Sequence, residues 1–227
     1  MSREKVVVFT GAGVSAESGI QTFRDSDGLW HNYSIEDVCT PEAWVKNPEL
    51  VLEFYNARRK NSFDAEPNKA HLAIADLQSK FNVTVITQNV DNLHERAGSS
   101  NVVHVHGELV KARSTADESL VYDIGSNDIN IGDTCDLGSQ LRPHIVWFGE
   151  MVPSMGEALH HISQADKVLV VGTSLSVFPV AGLVRYAPSD AEKHLVSLDL
   201  ENPPSDYDYI QEKAGIAVPD ICSMWMH

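Results

Sequence analysis

Cysteine is scarce and unpaired in this chain: Cys39, Cys135 and Cys222 are the three among 227 residues, and no two share a C-x-x-C spacing. That excludes a disulfide framework, and it excludes a four-thiolate metal site. Basic charge is short as well. Seventeen Lys and Arg stand against 32 Asp and Glu, a formal charge of −15, so a face that gathers nucleic acid by neutralising phosphates is not expected. The acidity serves solubility and, where it selects a partner, suits basic protein segments. No apolar run reaches the roughly 20 residues of a membrane span. The first five residues are charged and lack the apolar stretch and small-residue cleavage site of a signal peptide. A soluble, cytoplasmic protein is the expectation. Internal repeats and low-complexity tracts are also missing.

What is present is ordinary globular composition, 43% hydrophobic with 22% charged residues, enough to bury a core over a length that suits one domain carrying a small inserted lobe. Short β-branched or apolar runs recur at residues 6–9, 83–86, 102–105, 145–148, 168–171 and 195–198. Continuous apolar strands suit a parallel sheet covered on both faces. Between them, Ala70, Ile74, Leu77 and Phe81 repeat at helical spacing, and Ser154-x-x-Glu157 resembles a capping box opening a helix with Met155, Leu159 and Ile162 inward. The alternation predicts an α/β fold, a doubly wound, Rossmann-like parallel sheet. Two segments break the rhythm and are assigned to the smaller lobe: about 34–61, helical but interrupted by Pro41 and Pro48, and about 108–140, polar from Ser114 onward. The tail after Pro203 is expected to pack back loosely.

The first strand runs into Gly11-Ala12-Gly13-Val14-Ser15-Ala16, a glycine-rich turn entering a helix. Such a turn can present backbone N–H groups and the Ser15 hydroxyl to a diphosphate, or it can need glycine for packing alone; the G-x-G-x-x-G spacing is not met, because Ala16 occupies the third position. Gln88-Asn89-Val90-Asp91 follow a strand directly, at the carboxyl edge where open α/β sheets bind ligands. Asn89 and Asp91 could equally cap the helix that starts near Leu93. His104 and His106 share one face of the next strand, so alternation does not choose between them.

Taken together, these motifs with Gly19-Ile20-Gln21-Thr22-Phe23-Arg24, Gly28-Leu29-Trp30, His106-Gly107, the IVWFGE segment of residues 145–150 and Gly172-Thr173-Ser174 resemble the sirtuin family, in family order over nearly the whole chain. The resemblance implies an NAD-consuming protein-lysine deacylase. In that chemistry an acyl-lysine oxygen attacks the nicotinamide ribose, nicotinamide leaves, and O-acyl-ADP-ribose is the product. His106 becomes the base for a ribose hydroxyl, a task that suits a histidine near pKa 6.5. Asn89 and Asp91 hold the nicotinamide carboxamide and Gln88 the ribose. Phe23 shields the reacting carbon. Gly11, Ala12, Gly13, Ser15, Ala16, Arg24, Trp30, Val90, Gly172, Thr173 and Ser174 face the cofactor, while Asp199, Leu200, Glu201 and Ala214 take the adenosine end. Phe148, Gly149 and Glu150 face the acyl-lysine protein or peptide.

Tyr55-x-x-Arg58 places a phenol and a guanidinium on one helix face, where they can bind a carboxylate. The pattern is similar to that of sirtuins, bacterial ones among them, that remove succinyl and malonyl groups (class III). Most sirtuins also hold zinc between two pairs of cysteines. Here Ser114 stands near the first thiolate position and Cys135 is alone in the insert, so no zinc is expected. The competing functions are ADP-ribosyl transfer or NAD hydrolysis on the same fold, and a non-catalytic NAD sensor.

Overall fold

Residues 6 to 9 alternate between two apolar surroundings, which is what a strand buried on both faces requires. The protein is described here from a computed structural model covering residues 3–21, 29–30 and 33–227. Its strands are β1 (Lys5–Thr10), β2 (Leu29–Trp30), β3 (Tyr33–Ser34), β4 (Asn82–Thr87), β5 (Val102–His104), β6 (Gly107–Ser114), β7 (Val121–Asp123), β8 (Leu141–Ile145), β9 (Lys167–Val171), β10 (Glu192–Val196) and β11 (Asp208–Ile210). Its helices are α1 (Ile35–Val38), α2 (Pro41–Lys46), α3 (Pro48–Asp64), α4 (Lys69–Asp76), α5 (Leu93–Arg96), α6 (Met155–Ile162) and α7 (Ala214–Met226).

Six strands form a parallel sheet in the order β11-β10-β9-β1-β4-β5. Counted by chain order within this sheet, they lie 3-2-1-4-5-6 from the β5 edge, the arrangement of dinucleotide-binding sheets. Val6, Val8, Val83 and Val85 pack with Ala70, Ile74 and Leu77 and with the Val218, Ile221 and Trp225 side chains of α7. Val7, Phe9 and Ile86 point to the opposite face and pack with Ala158 and Ile162 of α6 and with Leu183. β1 is therefore enclosed by helices on both sides.

Three expectations need correction. The run 145–148 is not a strand of this sheet: β8 ends at Ile145 and pairs antiparallel with β6, while the Val146 and Phe148 amides bond to the His106 and Cys39 carbonyls. Ser154 does not close a capping box, because its hydroxyl donates instead to the His104 carbonyl at 3.3 Å. The tail is not loose. β11 adds the sheet's last strand, and α7 buries Val218, Ile221 and Trp225, with the Trp225 indole donating to Glu192 at 2.7 Å and Lys80 reaching the carbonyls of Trp225 and Met226. Pro219 inside α7 hides a helical repeat that is otherwise plain in Ala214, Ala217, Val218, Ile221, Cys222 and Trp225.

The two rhythm-breaking segments pack on one another. Pro41 and Pro48 divide the first segment into successive helices, as expected, each standing in the first turn of the helix it opens. β7, β6 and β8 form a small antiparallel sheet, against which α3 places Leu52 with Ala112 and Ile129, and Val51, Phe54 and Tyr55 with Leu109 and Ile145. The Asn56 amide clamps the insert like a strand partner: Nδ2 donates to the Ile129 carbonyl at 2.9 Å and Oδ1 accepts from the Ile129 N–H at 3.0 Å.

The structure brings Ser114 and Cys135 together, Sγ donating to Oγ at 3.2 Å, while that hydroxyl also accepts from the amides of Ala116 and Asp117. One thiol beside one committed hydroxyl does not fit a closed tetrahedral zinc site. Purified protein is therefore expected to carry far less than one zinc per chain by elemental analysis and to keep its melting temperature in chelator. Asn56→Ala, which leaves both Ile129 backbone groups unpaired, is expected to cost about 1–3 kcal/mol in urea unfolding. Unfolding by chelator, with Asn56→Ala silent, would defeat this account of the lobe.

Candidate active site

β1 and β9 are neighbours whose chains leave in opposite directions, so the loops at their carboxyl ends part and open a crevice. Glycine is needed where those loops touch. A Cβ on Gly11 would stand 2.8 Å from Thr173 Cβ, one on Gly13 would stand 2.7 Å from Gly172 Cα, and Gly172 itself has a φ of +63°. The Gly11 and Gly13 amides donate to the carbonyls of Val171 and Gly172. These two amides thus join the loops and are not free for a diphosphate. Beyond them, Ala12–Val14 and Ala16–Ser18 form 3-10 turns rather than the regular helix expected there. A cavity of about 650 Å³ lies over this junction, a size suited to a dinucleotide or similar ligand.

The floor of the cavity is polar and fully bonded around Ser15. The Ser15 hydroxyl donates to Asp91 Oδ2 at 3.2 Å and accepts from Asn89 Nδ2 at 3.1 Å, so it organises these two side chains instead of facing a phosphate. Behind it, His71 accepts from the Asn68 amide at Nδ1 and turns Nε2 toward Ser15 at 3.4 Å. Burial pushes the His71 pKa down to about 4, so the ring is neutral. Burial likewise raises the Asp91 pKa, against bonds from the Leu93 amide and Ser15 that favour the carboxylate. Asp91 Oδ1 accepts from that Leu93 amide at 3.1 Å. The helix-cap role and a place on the cavity floor coexist.

His106 sits two residues past β5, and Gly107 follows with a φ of +82° and no room for a Cβ beside the His144 carbonyl. His106 Nδ1 lies 3.1 Å from the Gln88 carbonyl. A carbonyl only accepts, so Nδ1 carries the proton and Nε2 keeps its lone pair. Burial holds the His106 pKa below 6.5. His106 lines the cavity, as do Gln88, Asn89, Val90 and Asp91. His104 does not: its ring turns to Glu95. Gln88 Nε2 donates to Thr173 Oγ1 at 3.1 Å, tying the two loops above the sheet, and Ser174 Oγ pairs with Ser176.

A second wall rises from α3. Tyr55 is 1% exposed, and its hydroxyl accepts from Trp147 Nε1 at 3.1 Å and pairs with Cys39 Sγ at 3.3 Å. Arg58 lies with its guanidinium 5.5 Å from the Phe54 ring centre and 5.9 Å from that of Tyr55. Burial lowers its pKa, opposed by the nearby Tyr55, Cys39 and Asp91. Tyr55, Arg58 and Cys39 all line the cavity. Phe148 and Gly149 form its rim, Phe148 being 44% exposed. The Glu150 carboxylate is committed to Arg142 at 2.7 Å, Arg113 at 3.2 Å and the Trp147 amide at 2.8 Å. It holds the rim in place.

Phe23, Arg24 and Gly28 lie outside the described residues; of Trp30 the backbone is described, paired with Tyr33. Asp199, Leu200 and Glu201 directly follow Ser197 and Leu198, which line the cavity. Glu212, Lys213 and Ala214 line the cavity as well, and half-buried Leu200 packs against the apolar cluster that holds Phe9 and Ile162. The sequence reading also missed Cys39, Trp147 and Phe178, which line the cavity. Trp147 stood inside a quoted motif, whereas nothing in the sequence marked Cys39.

Comparison with known proteins agrees with this geometry. The model of the Sir2 family matches residues 11–179. A Helicobacter pylori protein named NAD-dependent protein deacylase is 48% identical over 220 residues, 96% of each chain. A solved Sir2 homolog–NAD complex superposes with a TM-score of 0.87 at 41% identity, covering 98% of this chain and 89% of its own. A structure of Sir2 bound to acetylated peptide superposes at 0.81 with 28% identity, covering 99% and 94%. The six-stranded sheet, the glycine junction and the matched sequence place this chain in the Sir2 family.

Proposed function

We propose that the protein is an NAD-dependent protein-lysine deacylase in which His106 is the general base. The observation that carries this reading is the His106 ring: neutral, with Nδ1 fixed on Gln88, and lining the same cavity as Asn89, Asp91, Tyr55 and Arg58. Bound NAD supplies an electrophilic ribose carbon and nicotinamide as leaving group. Asn89 and Asp91 offer donor and acceptor groups complementary to a carboxamide, and Ser15 keeps them in register. His106 then accepts a ribose hydroxyl proton. The rim at Phe148 and Gly149 receives the acyl-lysine segment, and a chain charge of −15 favours basic, lysine-rich segments.

Arg58 and Tyr55 extend the proposal to acidic acyl groups, succinyl and malonyl, besides acetyl. A guanidinium in a half-buried wall binds a carboxylate more strongly than it would in water. The competing ADP-ribosyl transfer or NAD hydrolysis uses the same floor. Incubation with NAD and matched acetyl- and succinyl-lysine peptides, with products identified by mass spectrometry, separates them: a deacylase releases nicotinamide and acyl-ADP-ribose in equimolar amounts, and only when acyl-peptide is present.

His106→Ala is expected to lower kcat about a hundredfold or more while NAD still binds, measured by calorimetry. Because burial depresses its pKa, the acid limb of the activity profile should fall below pH 6.5. Wild-type turnover in the variant would remove His106 from the mechanism.

Arg58→Met is expected to cost succinyl-peptide use about 1.5–3 kcal/mol, shifting its kcat/KM against that of acetyl-peptide by roughly tenfold or more. Tyr55→Phe should shift the ratio the same way but less. Equal losses on both peptides would make the pair structural and end the acidic-acyl reading, leaving His106 untouched.

A further inference from the structure

His104 precedes His106 by two residues and has no part in the chemistry above. Its side chain is 6% exposed. Nδ1 lies 3.1 Å from the Asn89 carbonyl oxygen, and Nε2 lies 2.7 Å from Glu95 Oε1 on α5. Both partners can only accept, so both ring nitrogens carry hydrogen and the ring is an imidazolium. His106 is built the other way, with an acceptor at Nδ1 and the cavity beside it. The two histidines therefore grip successive carbonyls of one turn, His106 that of Gln88 and His104 that of Asn89.

We propose that His104 is a positioning residue, whose imidazolium, anchored by Glu95, holds the Asn89 carbonyl and so fixes the turn of residues 88–91 for capture of the nicotinamide carboxamide. The proposal rests on the reading of Asn89 and Asp91 as the groups that hold that carboxamide.

The surroundings suit a buried cation. Glu95 from α5 and Glu108 from β6 bring carboxylate oxygens within 4.8 Å of the ring's ligand atoms, and Glu108 is itself bonded to Lys111 at 2.7 Å. Burial alone would drive the imidazolium pKa down, but the hydrogen bond and charge of Glu95, with Glu108, outweigh it and raise it. The same charge acts on Asp91, where it opposes burial and favours the carboxylate. Burial, then His71, and last this charge hold His94 in its neutral form. On the remaining side, Ser154 at the start of α6 donates to the His104 carbonyl. The ring is thus held at both nitrogens, by Glu95 on α5 and by the Asn89 carbonyl, and its backbone is held by Ser154.

Steady-state kinetics of three variants test this, with circular dichroism to confirm folding. The amide nitrogen of Asn falls near the position of Nδ1, and that of Gln near Nε2. His104→Ala and His104→Gln are expected to raise KM for NAD roughly tenfold, with kcat and KM for acyl-peptide changed much less. His104→Asn, which keeps a donor for the Asn89 carbonyl, should recover most of the loss. Recovery by Gln instead of Asn, or losses spread equally over kcat and both KM values, would overturn the proposal. Nitrogen-15 NMR of the intact protein tests it independently of any variant: both His104 ring nitrogens should be protonated near neutral pH, and a neutral ring refutes the clamp. Asn89→Ala tells the two failures apart. If it leaves KM for NAD unmoved, the nicotinamide reading itself fails; if it raises KM while the His104 variants do not, only the clamp fails.

Discussion

Two backbone hydrogen bonds, from Gly11 to Val171 and from Gly13 to Gly172, join the loops that leave β1 and β9. These strands sit at the point where the sheet's connections reverse, so the crevice opens where those loops part. The approach is closer than side chains allow, which is why glycine stands on both sides. Once it is made, Thr173 comes within reach of Gln88, Ser15 comes within reach of Asn89 and Asp91, and the polar floor assembles from three separate stretches of chain.

The turn after β4 shows how one backbone serves two electrostatic ends. Its carbonyls take N–H bonds from His106 and His104, identical side chains on one stretch of chain. What the second ring nitrogen meets separates them. His106 has the cavity and is held neutral by burial; His104 has Glu95 and is held charged. Environment, not residue type, decides which histidine can accept a proton.

Packing and hydrogen bonds tie the small lobe together among the described residues. Asn56 pins the Ile129 backbone to α3, and Glu150 draws Arg113 of β6 and Arg142 of β8 toward the Trp147 rim. The Arg142 guanidinium stacks 3.2 Å from the Trp147 ring centre, and the Trp147 indole in turn holds the Tyr55 hydroxyl. The Tyr55 wall of the cavity and the lobe's small sheet are thereby one connected structure, so a change in the lobe is felt at Tyr55.

The sequence alone determined the parallel sheet, because runs such as 6–9 and 168–171 leave no polar face for solvent, and it determined the glycine turn, the residues 88–91 and the pairing of Tyr55 with Arg58, because spacing on a strand end or a helix is a local property. Tertiary structure decided the rest. Whether residues 145–148 joined the main sheet depended on which carbonyls their amides would meet, and α7 earned its place only through the apolar face that α4 and the sheet offered it. Ser197 and Leu198 line the cavity just ahead of Asp199, while half-buried Leu200 packs against the core. His104 and His106 share a strand face in the sequence, and their difference arose from Glu95 on a helix that alternation does not describe. Cys39 lines the cavity because Tyr55 and the Phe148 amide meet it there. Contacts between distant segments are set by where burial leaves room, and that is a property of the assembled chain.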